Sequence, residues 1–226
     1  MSIESNLRQI KSALPPSVTL VAISKTHPAE VVMEAYNAGQ RVFGENKVQE
    51  MVSKYEVMPK DIEWHLVGHL QTNKVKYIAS FVSLIHSVDS LKLLGVINSE
   101  AEKVERVIDC LLQVYIASEE TKFGLATDEL DILLKSAEYQ QMKNIRITGL
   151  MGMASFTDNT NIIRTEFHSL TTTFNRVKEL YFNGIPSFKV LSMGMSGDYT
   201  LAVEEGSTMV RIGSSIFGAR NYSTSQ

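Results

Sequence analysis

The alternation of short apolar runs with helix-period stretches is the feature that most restricts the fold of this 226-residue chain. Stretches with an apolar residue every three or four positions separate the runs, and a further amphipathic segment at residues 2–14 precedes the first one. The runs have the length and β-branched character of buried strands and cover residues 18–23, 41–44, 63–67, 83–88, 107–117, 145–151, 188–192 and 208–212. Eight strands joined by helical crossovers predict an α/β fold, a single (β/α)8 TIM barrel with an extra N-terminal helix. A doubly wound open sheet is the alternative, and it would be expected to split at a switch point.

The helical stretches differ in how clearly the sequence defines them. The clearest one follows the sixth strand, stops before Gly184 and Pro186, and carries a stripe of Ile163, Phe167, Leu170, Phe174, Val177 and Tyr181. Residues 128–142 predict one continuous crossover helix after the fifth strand. The chain has no linker, low-complexity tract or composition shift, so a single domain over residues 1–226 is expected.

Composition excludes several classes of protein. The net charge of −3 and the pI of about 6.0 do not suggest a nucleic-acid binder. The first residues lack the basic and apolar regions of a signal peptide, and no run reaches transmembrane length, so a cytoplasmic protein without a membrane partner is expected. Cys110 is the only cysteine, which rules out an intrachain disulfide and indicates an inert core thiol.

Lys25 is the leading candidate for chemistry, because it follows the first strand directly in Ser24-Lys25-Thr26-His27-Pro28. The carboxyl ends of the strands are where α/β folds build their sites. Burial at such a place lowers the pKa of a lysine and frees a neutral amine to attack a carbonyl. The alternative is a lysine whose stem lies along the strand end while its ammonium stays in water.

Two glycine-serine turns follow the seventh and eighth strands. The first is Ser192-Met193-Gly194-Met195-Ser196-Gly197-Asp198, and the second is Ile212-Gly213-Ser214-Ser215. Glycine lets the backbone approach an anion closely, and a following helix offers unpaired N–H groups. Because the loops after strands seven and eight of such barrels frequently form a phosphate site, a phosphate-bearing ligand is predicted. Ordinary turns are the alternative.

Arg211 is difficult to explain as a purely structural residue. It alternates with Val210 and Ile212, so its guanidinium points either into the barrel or out to the helices. A buried guanidinium needs an acid or a ligand as its partner, whereas an arginine solvated at the strand end needs none.

With these residues in view, the sequence strongly resembles the YggS/PROSC family of pyridoxal 5′-phosphate (PLP) homeostasis proteins. The matching stretches lie between residues 20 and 220 and cover nearly the whole chain. They are Ala22-Ile23-Ser24-Lys25-Thr26, Phe43-Gly44-Glu45-Asn46-Lys47-Val48-Gln49-Glu50, Glu63-Trp64-His65-Leu66-Val67-Gly68-His69-Leu70-Gln71-Thr72-Asn73-Lys74, Thr121-Lys122-Phe123-Gly124, Gly149-Leu150-Met151-Gly152-Met153, Leu191-Ser192-Met193-Gly194-Met195-Ser196, Gly206-Ser207-Thr208-Met209-Val210-Arg211-Ile212-Gly213 and Ile216-Phe217-Gly218-Ala219-Arg220.

The resemblance implies a barrel similar to the N-terminal domain of alanine racemase, with PLP held covalently as a Schiff base on Lys25. It implies that Ser196 and the backbone of Gly213 and Ser214 hold the phosphate. Arg211 would face the pyridine nitrogen, where a cation makes the cofactor a weaker electron sink. The same resemblance implies that the cofactor is also lined by Asn46, His65, Met193 and Gly194.

Two functional classes compete. The first is a non-catalytic PLP binder that acts in intracellular PLP (vitamin B6) homeostasis and amino-acid balance, as a monomer with transient contacts to PLP-dependent apoenzymes. The second is a weakly active amino-acid racemase, which needs acid/base groups on both faces of the substrate carbon. Alanine racemase takes its second base, a tyrosine, from a C-terminal domain for which this chain is expected to leave no room, and Tyr199 is the tyrosine that keeps this alternative open. An unrelated Schiff-base aldolase is a third possibility, and no catalytic residue is assigned.

The remaining polar residues carry weaker signals. His65 and His69 are four apart, a spacing that suits zinc only on a helix, and this segment is not predicted to be helical, so no metal site is expected. His86 is expected to be a hydrogen-bonded core residue. Lys74, on a crossover helix, and Lys122, in a loop after the fifth strand, are rival amines that rank below Lys25.

Overall fold

The computed structural model describes residues 2–117 and 123–218. Its strands form a closed parallel barrel in chain order, with the last strand hydrogen-bonded to the first. The strands are β1 (Thr19–Ile23), β2 (Val42–Glu45), β3 (Glu63–Leu66), β4 (Leu84–Val88), β5 (Ile108–Gln113), β6 (Ile145–Met151), β7 (Val190–Ser192) and β8 (Met209–Ile212). The prediction of a (β/α)8 barrel is confirmed.

Helices surround the barrel and also precede its first strand. They are α1 (Ile3–Ala13), α2 (Ala29–Asn37), α3 (Val48–Val57), α4 (Leu91–Lys103), α5 (Thr127–Lys135), α6 (Ala137–Gln141), α7 (Thr160–Tyr181), α8 (Tyr199–Glu204) and α9 (Ser214–Phe217). The predicted N-terminal helix is present as α1, and the hydroxyl of Ser2 caps it by accepting a hydrogen bond from the amide of Ser5. The predicted stripe of the long helix lies on α7, and its members from Ile163 to Val177 are buried.

Two local predictions are wrong, and a third is confirmed in part. Residues 128–142 do not form one helix, because Ser136 adopts an extended backbone, ends α5 and caps α6 through its hydroxyl. The fifth strand ends at Gln113, and only an isolated bridge between Val114 and Leu125 continues the pairing. The helix predicted near residues 72–79, between β3 and β4, is present at Thr72–Tyr77, but as a 3-10 helix.

Side chains on the two faces of the barrel strands form two separate apolar clusters. Outward-facing side chains pack with the helices into the larger core, which includes Phe43, Trp64 and Cys110. Burial raises the pKa of the Cys110 thiol, in keeping with the predicted inert cysteine. Inward-facing side chains form a smaller cluster inside the barrel, consisting of Val21, Ile23, Leu84, Leu111, Met151 and Met209. We call this inner cluster the barrel floor.

None of the helices in the described ranges combines the length and the apolar character that crossing a membrane requires.

Candidate functional site

A buried polar layer lies directly above the barrel floor, toward the carboxyl ends of the strands. His86 follows the floor residue Leu84 by two positions, and Arg211 follows the floor residue Met209 in the same way. Because side chains two apart on a strand share a face, these groups point into the barrel one layer closer to its mouth. The guanidinium of Arg211 therefore lies inside the barrel, which decides between the two directions that strand alternation leaves open.

Four side chains from four strands form one hydrogen-bonded chain in this layer. Arg211 Nη1 donates to Ser192 Oγ at 2.6 Å, and this hydroxyl lies 3.0 Å from His86 Nδ1. His86 Nε2 lies in turn 3.0 Å from His65 Nδ1. Because an arginine can only donate, the order that satisfies every member runs from Arg211 through Ser192 and His86 to His65, with both histidines protonated on Nε2. We call these four residues the polar relay.

Electrostatics keep both histidines of the relay neutral. Burial lowers the pKa of His65 to about 3. Burial also holds the pKa of His86 well below its usual range, and the neighbouring His65 and Arg211 lower it further. Arg211, whose pKa burial lowers to about 10, still carries its charge at neutral pH.

The charge of Arg211 is buried among neutral partners. Its Nη1 donates to a serine hydroxyl, and its Nη2 donates to the carbonyl of Gly152 at 3.0 Å. Asp198 opposes the effect of burial on the pKa of Arg211, but Arg211 has no ion pair within the described parts of the chain. A desolvated cation without a paired carboxylate favours an anionic or electron-rich group above it.

Lys25 lies at the mouth, above the inner face of β1. Strand pairing continues one residue beyond β1, since the amide of Ser24 donates to the carbonyl of Gly44. Lys25 is half-buried and stands two residues after the inward-facing Ile23, in the turn that follows β1 at the mouth. Asn46 follows β2 in the same manner and is also half-buried.

The two glycine-serine turns meet between β7 and β8. The hydroxyl of Ser196 accepts a hydrogen bond from the amide of Gly213 at 3.3 Å, and Ser214 begins α9 immediately afterwards. Gly194 has a φ of +94°, and a Cβ atom there would lie 2.6 Å from the Cβ of Ala202, so the turn requires glycine. The structure therefore brings four predicted site residues together at one edge of the mouth.

The other residues that the sequence singled out lie away from this edge or outside the described residues. The side chain of Met193 is fully buried in the core between the barrel and the helices, so only its backbone is available to the mouth. Tyr199 begins α8 and packs, partly buried, against the same outer core. Lys74 lies in the 3-10 helix, with its ammonium 5.8 Å from the ring centre of Tyr77. Lys122, like the Ala219-Arg220 end of the matching stretches, lies outside the described residues.

A buried ion pair behind the lysine turn was not predicted from the sequence. Lys54 on α3 donates to Glu45 Oε1 at 2.5 Å and to the carbonyl of Ser24 at 2.7 Å. The hydroxyl of Ser24 donates to the same Glu45 oxygen at 2.6 Å, and burial raises the pKa of the Glu45 carboxyl. The spacing of Lys54 in the sequence could have indicated its burial, because it lies three residues after Met51 and six after Val48 on the buried face of α3.

Metal ligation has no support in the described residues, which contain no group of three or more His, Cys, Asp or Glu side chains able to hold an ion.

Comparison with known proteins identifies relatives along nearly the whole chain. The sequence model of the family described as "Alanine racemase, N-terminal domain" matches residues 1–221. The chain is 42% identical over 205 residues to the "Pyridoxal phosphate homeostasis protein" of Aquifex aeolicus, covering 90% of this chain and 87% of that protein. It is 41% identical over 220 residues to the protein of the same description in Schizosaccharomyces pombe, covering 96% of this chain and 90% of the relative.

A solved structure is similar in both fold and sequence. PipY from Synechococcus elongatus, determined with PLP bound, superposes with a TM-score of 0.86 at 36% identity. The match covers 96% of this chain and all of PipY.

Proposed function

The chain belongs to the alanine racemase N-terminal domain family and, within it, to the pyridoxal phosphate homeostasis proteins, and on this premise we propose that it binds PLP at the mouth of its barrel. We propose further that Lys25 holds the cofactor covalently and that the protein stores and releases PLP instead of catalysing a reaction with it. The observation that carries this proposal is the buried Arg211, which lies below a mouth flanked by Lys25 and by the two glycine-serine turns.

The residues at the mouth match the chemical groups of PLP. When bound, PLP supplies an aldehyde that forms a Schiff base with a lysine amine. Lys25 is the inward-facing amine for this linkage, while Ser196, Gly213 and Ser214 provide a hydroxyl and turn amides for the phosphate. The pyridine nitrogen would lie against the guanidinium of Arg211. The remaining lining residues of the proposal are Asn46, His65, Gly194 and, through its backbone, Met193.

Arg211 is the residue that favours storage over catalysis. Ser192 and the carbonyl of Gly152 hold the guanidinium in place, and it keeps its charge at neutral pH. A fixed cation beside the pyridine nitrogen disfavours protonation of the ring, and an unprotonated ring withdraws electrons weakly. Carbanion chemistry on the cofactor would therefore be slow.

Weak racemase activity is the alternative, and it requires a second acid/base group above the cofactor. Tyr199, the tyrosine that kept this alternative open, packs partly buried against the outer core on α8. That placement favours the carrier function.

Exposed apolar side chains on three neighbouring loops at the mouth support the proposal that PLP is released to client enzymes there. Phe123 follows β5, Phe156 follows β6 and Met195 follows β7, and each exposes more than a third of its surface. Apolar side chains on adjacent loops are typical of contact surfaces. We propose that a monomer of this single-domain protein passes PLP to apoenzymes at this face, as part of PLP homeostasis and amino-acid balance.

The test is visible absorbance of the purified protein with added PLP, together with borohydride reduction and peptide mapping of the modified lysine. The expected result is a band that Lys25→Ala abolishes and that Lys74→Ala, the matched lysine control in the 3-10 helix, leaves unchanged. A modified lysine other than Lys25, or no binding, would overturn the proposed site. Racemisation of amino acids by the PLP-loaded protein at enzyme-like rates would overturn the carrier function alone.

A further inference from the structure

The turn that carries Lys25 has an unfavourable backbone conformation. The amide of His27 donates to the carbonyl of Ser24 at 3.2 Å, which closes a four-residue turn with Lys25 and Thr26 at its centre. Thr26 has a φ of +68°. A positive φ at the third position is typical of a type II turn, where glycine or asparagine is preferred, and β-branched residues rarely adopt it. Left to itself, this sequence would favour the type I form with a negative φ.

Glu50 on α3 binds the amide that this conformation exposes. Its Oε2 accepts a hydrogen bond from the amide of Thr26 at 2.8 Å. Type I and type II turns differ by a flip of their central peptide, which here joins Lys25 to Thr26 and contains this amide. A carboxylate on that amide therefore stabilises the observed orientation against the flipped one.

Lys54 holds the other side of the same turn. It lies four residues after Glu50, on the same face of α3, and its ammonium donates to the carbonyl of Ser24. The ammonium is anchored by the buried carboxylate of Glu45, the last residue of β2. One helix thus contacts the backbone immediately before and immediately after Lys25.

We propose that Glu50 and Lys54 are positioning residues that clamp the backbone on both sides of Lys25 and thereby hold its amine toward the barrel mouth. Glu50 selects the peptide orientation, and Lys54 ties the start of the turn to β2. The inference rests on the proposed function for its meaning, because it assigns these residues to the presentation of the PLP-binding amine.

The test uses Glu50→Ala, because loss of Lys54 also leaves a buried carboxylate unpaired and could prevent folding. Glu56→Gln on the exposed face of α3 is the matched control. The decisive variant is Glu50→Ala combined with Thr26→Gly, since glycine adopts a positive φ without steric cost. Two quantities are measured: the Kd for PLP, and the rate at which an acetylating reagent labels Lys25 in the PLP-free protein.

We expect Glu50→Ala to raise the Kd by about three- to tenfold, as loss of a charge-assisted hydrogen bond in a partly exposed site would. Labelling of Lys25 should become faster, because the relaxed turn lets the side chain reach solvent. Thr26→Gly should restore both quantities toward those of the parent, and Glu56→Gln should change neither. Rescue by a glycine at one turn position would not follow from a general weakening of α3.

The outcomes separate this inference from the proposed function. If the parent binds PLP but Glu50→Ala changes neither quantity, or if Thr26→Gly gives no rescue, the clamp is overturned and PLP binding stands. If the parent fails to bind PLP while Glu50→Ala still accelerates labelling and Thr26→Gly reverses it, the clamp stands and the proposed function is overturned.

Discussion

His86 Nε2 lies 3.0 Å from His65 Nδ1, so two histidines on adjacent strands share a hydrogen bond inside the barrel, where neither is more than 4% exposed. Both rings are neutral, because burial lowers their pKa values far below the usual range. The polar relay therefore depends on proton positions that acid would disturb.

The first prediction concerns pH and stability. An unfolded histidine binds a proton below about pH 6.5, whereas folded His65 does so only near pH 3. Between these values the unfolded state binds more protons, so the free energy of unfolding should fall as the pH falls. The expected loss from His65 alone is about 1.6 kcal/mol between pH 6.5 and pH 5, and His86 should add a loss of the same sign; urea denaturation measures the sum.

A control isolates the histidine contribution to this loss. His65→Gln should reduce the pH slope by about one proton. Glu45 acts in the opposite direction, since its raised pKa makes the folded state hold the extra proton. Because Glu45 can offset the histidines in the parent profile, the deciding quantity is the difference between variants: a pH slope that His65→Gln leaves unchanged would contradict the neutral buried pair.

The second prediction concerns Ser192, the hydroxyl in the middle of the relay. Ser192→Ala leaves Arg211 Nη1 and His86 Nδ1 buried without their partner. We expect a loss of about 1–3 kcal/mol in the free energy of unfolding, together with weaker PLP binding because the guanidinium is less fixed. Ser99→Ala on the surface of α4 is the matched control and should stay within about 0.5 kcal/mol of the parent. Equal effects of the two changes would argue against the relay.

The third prediction compares two glycines with positive φ. Gly184→Ala should cost only the backbone strain, because nothing lies within 4 Å of the added Cβ. Gly194→Ala meets the Cβ of Ala202 at 2.6 Å as well, and should be less stable than Gly184→Ala by about 1–3 kcal/mol. Thermal or urea unfolding measures the difference in stability. PLP binding should be weaker in Gly194→Ala and unchanged in Gly184→Ala. Similar stabilities of the two variants would show that the turn after β7 can accommodate the added Cβ atom, which would contradict the prediction.

The fourth prediction concerns the ion pair behind Lys25. Lys54→Met should destabilise the fold by about 3–5 kcal/mol, because it leaves Glu45 as an uncompensated buried carboxylate. Adding Glu45→Gln should recover much of this loss, and a double-mutant cycle measures the coupling. Additive losses would mean that the two groups stabilise the fold independently of each other.

Local pattern was sufficient to locate the strands, although not every strand end, and to place several candidate site residues after them. The sixth strand has the predicted bounds at Ile145–Met151, since length and β-branched composition are properties of the segment itself. Lys25 and the two glycine-serine turns directly follow predicted strands, so the sequence next to them was enough to make them candidates for a site at the barrel mouth. The prediction of one helix over residues 128–142 was wrong for an equally local reason. The hydroxyl of Ser136 accepts a hydrogen bond from the amide of Tyr139 and so begins a separate helix there.

The contacts within the site could not be predicted in this way. The hydrogen bond between His86 and Ser192 joins residues 106 positions apart, and it exists because β4 and β7 face each other across a closed barrel. The spacing of Lys54 on α3 places it on the buried face, but its partners, Glu45 and the carbonyl of Ser24, come from other segments and are fixed only by the packing of α3 behind the turn of Lys25.

The sequence by itself thus determined which segments become strands, where the turns fall and which residue types stand at the mouth, because these depend on neighbours along the chain. The tertiary structure decided that the guanidinium of Arg211 points inward, that two histidines are neutral and that α3 contacts the backbone of Ser24 and Thr26 on either side of Lys25. Each of these depends on desolvation and on donors and acceptors from distant segments, and only barrel closure and helix packing bring those groups together.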